Sequence, residues 1–293
     1  MSSPKKLFTS KESRHFHSSK KLNYQFLDKV KFGQQHPLAE QIAELPTIKH
    51  FSLKVSTKPL PVKVDLRALV KDVYDQGDIG SCVCNSVAMS YRMTLSVYNN
   101  KSTFHYYAWN YKDMKPSRLY LYAYARVIEG MSIGQDCGSS VLSGYRALVE
   151  NGVPEEKYWP YDTSFYKKMP PLIANQNAQE IQTPGYHKIK NTIQDLKHAL
   201  ANKEPVSFGA VLFKSFYNKN VINHGNVSKP EKNMSEVIGG HCLLIVGYDD
   251  SKEAFIVKNS WGEDWGDKGH CYMPYSYITD TDLCADFWSF ARL

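Results

Sequence analysis

The sequence predicts an α+β fold, with helices through its middle and strands in its last third. Three observations carry that prediction. Apolar residues recur at three- and four-residue spacing in separate runs between Cys82 and Leu200. The runs PVSFGAVLF, HCLLIVGYD, AFIVKNS and GHCYMPY are short, rich in β-formers, and separated by Gly, Asp and Lys turns. The helical patterns come before these strand patterns, which favours two segregated lobes, one helical and one β-rich, over an alternating parallel sheet.

Taken in order, residues 1–21 are polar and Ser/Lys-rich, and are expected to be mobile. Residues 22–60 mix Tyr24, Phe26, Leu27, Val30 and Phe32 with Pro37, Pro46 and Pro59, and read as an extended segment that drapes over another surface. A new regime starts near Pro61. Gly77 and Gly80 form a loop, and a first helix begins at Ser81–Cys82, carries Val83, Val87, Tyr91 and Leu95, and stops at Asn99–Asn100. The aromatic stretch Phe104–Tyr111 is expected to be a packed loop. A second helix opens at Pro116–Ser117. A third is capped by Ser139 or Ser140 and stops at Asn151–Gly152. A fourth runs from Thr192, with Asp195 in the reciprocal capping position.

The chain has 293 residues and a formal charge of +7. Residues 1–60 hold 11 Lys/Arg against 4 Asp/Glu, whereas residues 61–293 hold 25 of each. All of the imbalance sits in the first fifth of the chain. This marks off a separate arm, 1–60, from a domain over 61–293, rather than a basic enzyme surface; a solvated arm is the favoured meaning of such a run and a localisation or nucleic-acid-binding tail the second. No apolar run is long enough for a membrane span, and no signal-peptide pattern follows the N-terminal charges, so an intracellular, non-secretory monomer is expected. Six cysteines (Cys82, Cys84, Cys137, Cys242, Cys271, Cys284) are too sparse for a disulfide scaffold.

The strongest chemical signal is Gln76-Gly77-Asp78-Ile79-Gly80-Ser81-Cys82. A cysteine at a helix N-terminus meets unpaired amide N–H groups and the positive end of the helix dipole, and both favour thiolate. Downstream, Gly239-Gly240-His241 opens an apolar strand, where an imidazole can face a helix-borne thiol. Asn259, within Lys258-Asn259-Ser260-Trp261-Gly262, can orient that imidazole through its side-chain carbonyl, and Trp261 can shield the bond. Gln76 and the Cys82 amide can together hold an oxyanion. A Cys-x-Cys metal site through Cys82, Cys84, His241 and Cys242 is disfavoured, because a helix turns Cys82 and Cys84 apart. No cofactor is called for.

QGDIGSC, the GGH strand start, KNSWG and the later EDWGDKG, in this order, resemble the papain-like (cathepsin-type) cysteine peptidases over about residues 61–293. VDLRALV is similar to the start of the mature enzyme in that family. The disulfide-poor bacterial and large-DNA-virus members are the nearer resemblance. It implies a two-lobe fold with the active site in the cleft between lobes. It also implies an endopeptidase with Cys82 as nucleophile, His241 as acid/base, Asn259 as orienting residue and Gln76 as oxyanion donor. Gly138 and Ser139 fall on the family's glycine segment that pairs with substrate backbone, Ser139 replacing a glycine. Ser140, Val141 and Cys242 fall where the main side-chain pocket is shaped.

There are departures as well. The family's secreted members bridge two cysteines at the places of Ile79 and Asp136, and both are absent here, which suits a reduced compartment. Val83, Cys84 and Asn85 replace the usual aromatic-rich residues after the nucleophile. The 60-residue leader is shorter than the usual prosegment, but the composition break near Pro61 still suggests an intramolecular inhibitor, residues 22–60 lying along or beside the cleft and being removed or displaced on activation. Virion packaging fits the viral resemblance. Two other readings stay open, a catalytically silent binding protein on the same scaffold and a Cys-His amidase or isopeptidase.

Overall fold

The computed structural model describes residues 59–98, 113–179, 185–231 and 236–291. The basic arm up to residue 58, the Asn99–Asn100 stop and the aromatic block Phe104–Tyr111 lie outside the described residues.

The first helix, α1, spans Cys82–Tyr98. The sequence gives it one apolar stripe, yet it is buried on nearly every side, with Val83, Val87, Tyr91 and Leu95 at most 3% exposed. Its polar residues therefore need partners inside the protein. Ser86 Oγ lies 2.9 Å from Ser207 Oγ, and the Thr94 hydroxyl donates to Ser90 O at 2.9 Å. Arg92 pairs with Asp72 at 3.1 Å.

Against α1 pack α2 (Arg118–Ile128) and α3 (Val141–Asn151). Ser117 caps α2, its hydroxyl accepting from Tyr120 N–H, and Ser140 caps α3, accepting from Ser143 N–H. Gly144 makes the α1–α3 approach possible. A Cβ there would stand 2.5 Å from Val83 Cγ1, so any side chain would push the helices apart. A further helix, α4 (Leu172–Gln179), is not evident in the sequence pattern.

Helix α5 spans Ile193–Ala201, capped by Thr192 as expected. The reciprocal half of that cap does not form. Asp195 Oδ2 takes the Thr192 hydroxyl, while the Thr192 N–H donates to Lys190 O.

The rest of the chain builds one antiparallel sheet. Its strands are β1 (Lys63–Asp65), β2 (Tyr186–Lys188), β3 (Val206–Phe213), β4 (Val237–Asp249), β5 (Ala254–Lys258), β6 (His270–Pro274) and β7 (Cys284–Phe290). The order is β2-β7-β3-β4-β5-β6. β4 is long enough to serve two neighbours on one edge, β3 as far as Ile245 and β1 from Gly247. Pairing with β5 on its other edge stops at Leu244. His241 and Cys242 thus lie where β4 is fixed by β3, in register with Ala210 and Gly209, and freed from β5. Among the described residues no helix is long and apolar enough to cross a membrane.

Candidate active site

Cys82 is the first residue of α1 and keeps intermediate exposure. One turn further, the Ser86 hydroxyl donates to Leu243 O at 3.2 Å, so the start of the helix lies along β4. The backbone N–H of Cys242 and that of Val83 act on the Cys82 sulfur and favour its thiolate. Burial opposes them and prevails. It pushes the thiol above its ordinary range, and the Asp136 carboxylate adds to the rise. Desolvation outweighs the first-turn amides.

His241 is buried, and burial lowers its imidazole to about 4, against the raising effect of its bond to Asn259. Its Nε2 lies 2.8 Å from Asn259 Oδ1. The same Oδ1 accepts the Ser260 N–H at 2.8 Å, which fixes which end of the amide faces the ring. Because Oδ1 can only accept, Nε2 carries the ring proton and Nδ1 keeps its lone pair. Asn259 Nδ2 is buried with no partner among the described residues, a cost of roughly 1–3 kcal/mol. Trp261 packs 4.9 Å from the imidazole, centroid to centroid. Trp265 and Tyr217 hold Trp261 in turn, at 5.3 Å edge-on and 5.8 Å stacked.

Gln76 is tied to the same loop. Its N–H donates to Ser260 O at 2.9 Å, and Asp75 and Trp261 form a short antiparallel bridge. The Gln76 side chain accepts the Ser260 hydroxyl at 2.7 Å and donates one N–H to Ile79 O at 3.0 Å. Of the two N–H groups on the Gln76 side-chain amide, one is thus committed to holding the loop.

Gly138 has φ +68°, a conformation for which glycine is suited, whereas Ser139 lies outside the left-handed region. Ser139 and Ser140 keep intermediate exposure. Val141 and Cys242 are 0% and 2% exposed and offer a substrate almost no surface, contrary to a pocket-lining role. Both are drawn into the core where α3 and β4 meet the packing around α1.

Several supporting residues escape a reading of the sequence. Arg118 is held between the rings of Tyr74 and Tyr161, at 4.2 and 3.7 Å, and donates to Asp75 O, Asn85 Oδ1 and Glu156. Asn85 donates in turn to Ser81 O, and the Tyr161 hydroxyl to Gln76 O at 2.8 Å. Lys258 is buried with its ammonium on Val70 O at 2.9 Å, and burial lowers it to about 8. Among the described residues, no three His, Cys, Asp or Glu side chains converge as a metal site requires.

With that geometry in view, the comparisons agree. The family model for papain family cysteine proteases matches residues 115–284, a stretch that contains His241 and Asn259 and begins after Cys82. An uncharacterized peptidase C1-like protein of Acanthamoeba polyphaga mimivirus is 35% identical over 257 residues, 83% of this chain and 79% of that one. Mouse cathepsin K is 25% identical over 227 residues, 73% of this chain but 60% of its own length. Among solved structures, xylellain, a cysteine protease from Xylella fastidiosa, superposes with a TM-score of 0.72 at 32% identity, covering 85% of this chain and 94% of its own. Digestive procathepsin L 3 of Tenebrio molitor larval midgut shares the fold, with a TM-score of 0.64 at 19% identity over 99% of this chain and 95% of its own.

The chain belongs to the papain family of cysteine proteases. It is a cysteine peptidase, a hydrolase of the α+β papain fold, and resembles bacterial and viral members.

Proposed function

We propose that the protein is an endopeptidase whose nucleophile is Cys82, with His241 as acid/base, Asn259 as orienting residue and Gln76 as oxyanion donor. The observation that carries this reading is the bond from His241 Nε2 to Asn259 Oδ1, which leaves Nδ1 as a base on the strand against which Cys82 starts its helix. Burial disfavours either charged form alone, so the proton passes within the pair rather than to solvent. The Cys82 proton moves to Nδ1 as sulfur bonds to the scissile carbonyl carbon. The oxyanion is received by the Cys82 N–H and the remaining Gln76 N–H. When the tetrahedral adduct collapses, the C–N bond breaks and the Nδ1 proton leaves with the amine. Water then gives a proton to Nδ1 and attacks the thioester. The C–S bond breaks, and sulfur recovers the proton. Trp261 keeps water from the imidazole–amide bond. Substrate backbone runs along Gly138–Ser139, beside Ser140.

Residues 1–60 form a regulatory arm on a peptidase domain of residues 61–293, and residues 22–60 lie along or beside the cleft until removed or displaced. Two relatives of known structure support this: the Tenebrio protein is named a procathepsin, and a ragweed pollen cysteine protease was solved in its proform. The reach suffices. β1 pairs with the Asp249 end of β4, about 26 Å along the strand from His241, which roughly eight extended residues span. The mimivirus relative supports packaging in a virion, and the protein acts inside cells as a monomer on polypeptides.

The test is intact-mass spectrometry of the full chain with a peptidyl-epoxide probe, beside Cys82→Ala. One adduct on the wild type alone, with loss of about the first sixty residues, is the expected result. An adduct on Cys82→Ala would overturn the nucleophile, and full activity unchanged by deleting residues 1–60 would overturn the arm. Cleavage of internal bonds in an end-blocked peptide separates endopeptidase from exopeptidase action.

A further inference from the structure

The segment between α2 and α3 is held by side chains rather than by a sheet. Asp136 Oδ1 accepts the Gly80 N–H at 2.8 Å and also the Tyr122 hydroxyl. The Tyr122 oxygen in turn accepts the Gly138 N–H at 3.1 Å. One carboxylate oxygen and one phenol thus connect the loop that delivers Cys82 to the edge that carries Gly138 and Ser139. The spacing is tight. A Cβ on Gly80 would stand 3.2 Å from both Asp136 Oδ1 and Gly138 N.

The connection is braced from both sides. Arg126 is fully buried, lies 4.0 Å from the Tyr122 ring centroid, and donates to Ile133 O and Gln135 O at 2.8 Å each. On the far side, Glu129 Oε1 accepts Ser140 N–H at 2.7 Å and Asp286 Oδ2 accepts Val141 N–H at 2.8 Å. The amides of residues 138, 140 and 141 are therefore taken, and the Ser139 N–H between them has no partner among the described residues.

We propose that Asp136 is a positioning residue of this peptidase. With Tyr122 it fixes the distance between the loop ending in Cys82 and the Gly138–Ser139 edge. The inference rests on Cys82 being the nucleophile. Charge makes the case sharper, because a carboxylate near this thiol works against its ionisation. Asp136 therefore serves the cleft by geometry, at some electrostatic expense. Burial and Asp136 also keep Tyr122 protonated, so its hydroxyl remains a donor to the carboxylate.

The full chain is compared with Asp136→Ala, Asp136→Asn, Tyr122→Phe and Cys82→Ala. The readouts are kcat and KM on a peptidyl-amide substrate, and the pH profile of Cys82 alkylation by iodoacetamide, located by peptide mass. Loss of alignment in Asp136→Ala lowers kcat/KM on the order of 10- to 100-fold. Asp136→Asn keeps an oxygen able to accept both donors, so it restores most of that loss. It also moves the alkylation midpoint to lower pH, since a negative charge is gone while His241, Cys242 and Cys84 around the thiol are unchanged. Tyr122→Phe raises KM and leaves the alkylation profile where it was.

Wild-type kcat and KM in folded Asp136→Ala and Tyr122→Phe overturn the proposal, as does an unmoved alkylation midpoint in Asp136→Asn. If Asp136→Ala does not fold, the other two variants decide alone. Activity retained by Cys82→Ala, or alkylation at another cysteine, would sink the assignment of the nucleophile itself. Cys82 alkylated normally beside an indifferent Asp136 sinks only the positioning role.

Discussion

The two walls that meet at the candidate site are built on different principles. On the strand wall, His241 and Asn259 are placed by backbone ladders. β3 fixes the register of His241 against Ala210, and the β5–β6 pairing runs up to Lys258 before Asn259 donates its N–H to Gly269 O. On the helix wall, Cys82 and Gly138 are placed by side chains that donate to or accept from loop backbone, namely Arg118, Tyr161, Asn85, Asp136 and Tyr122, and Gln76 by these together with its own backbone bond to Ser260. A ladder tolerates changes of side chain. A side-chain frame does not, so substitutions away from the reacting groups should matter more on the helix wall.

The largest effect tests the meeting point of both walls. Cys82→Ala should lower kcat by on the order of 10⁴-fold or more, measured on a peptidyl-amide substrate, because the nucleophile and base act as a unit. Arg118→Met probes the helix-wall frame. It leaves Glu156 with a half-buried, unpaired charge and Asn85 Oδ1 without its donor, and should cost about 3 kcal/mol in urea unfolding, followed in the Cys82→Ala background to prevent self-digestion. A change under about 1 kcal/mol there would erase the contrast between the walls. Asn259→Ala is the strand-wall counterpart. It should lower kcat/KM on the order of 10²-fold through a misoriented imidazole, with little loss of stability, since the ladder remains.

A pH experiment sharpens the same contrast. Burial lowers His270, on β6, to about 4. Between pH 6.5 and about 4 the unfolded chain therefore binds a proton that the folded chain refuses. Stability from this group is present above pH 6.5 and is lost as pH falls through that window, with a slope approaching 1.4 kcal/mol per unit. His270→Asn should flatten the slope of urea stability against pH, and an unchanged slope would remove His270 from the account. The smallest effect is Ser117→Ala at the cap of α2, about 1 kcal/mol in the same unfolding assay.

The strand wall was the more legible in sequence. GGH and KNSWG each sit on one strand or just past its end, and a strand displays its residues in the order in which they are written. The helix starts were legible too, because Ser117, Ser140 and Thr192 cap locally. Strands β1, β2 and β7 were not, since those residues become strands here only through distant partners. Nor was the helix-wall frame. Arg118 reaches Asn85 across 33 positions and Asp136 reaches Gly80 across 56, and no local pattern marks either pairing. The desolvation that opposes the helix start at Cys82 also needed the fold, because burial is not written in the local sequence.

The tie between Gly80 and Gly138 contains oxygen and nitrogen but no sulfur. A disulfide at this corner would meet the same reductant that keeps a cysteine side chain reduced. Here the two requirements are uncoupled. Millimolar thiol can keep Cys82 reduced through a long assay or a crystallisation trial while the corner stays fastened, and an oxidant that reaches Cys82 has nothing in that tie to mend or break.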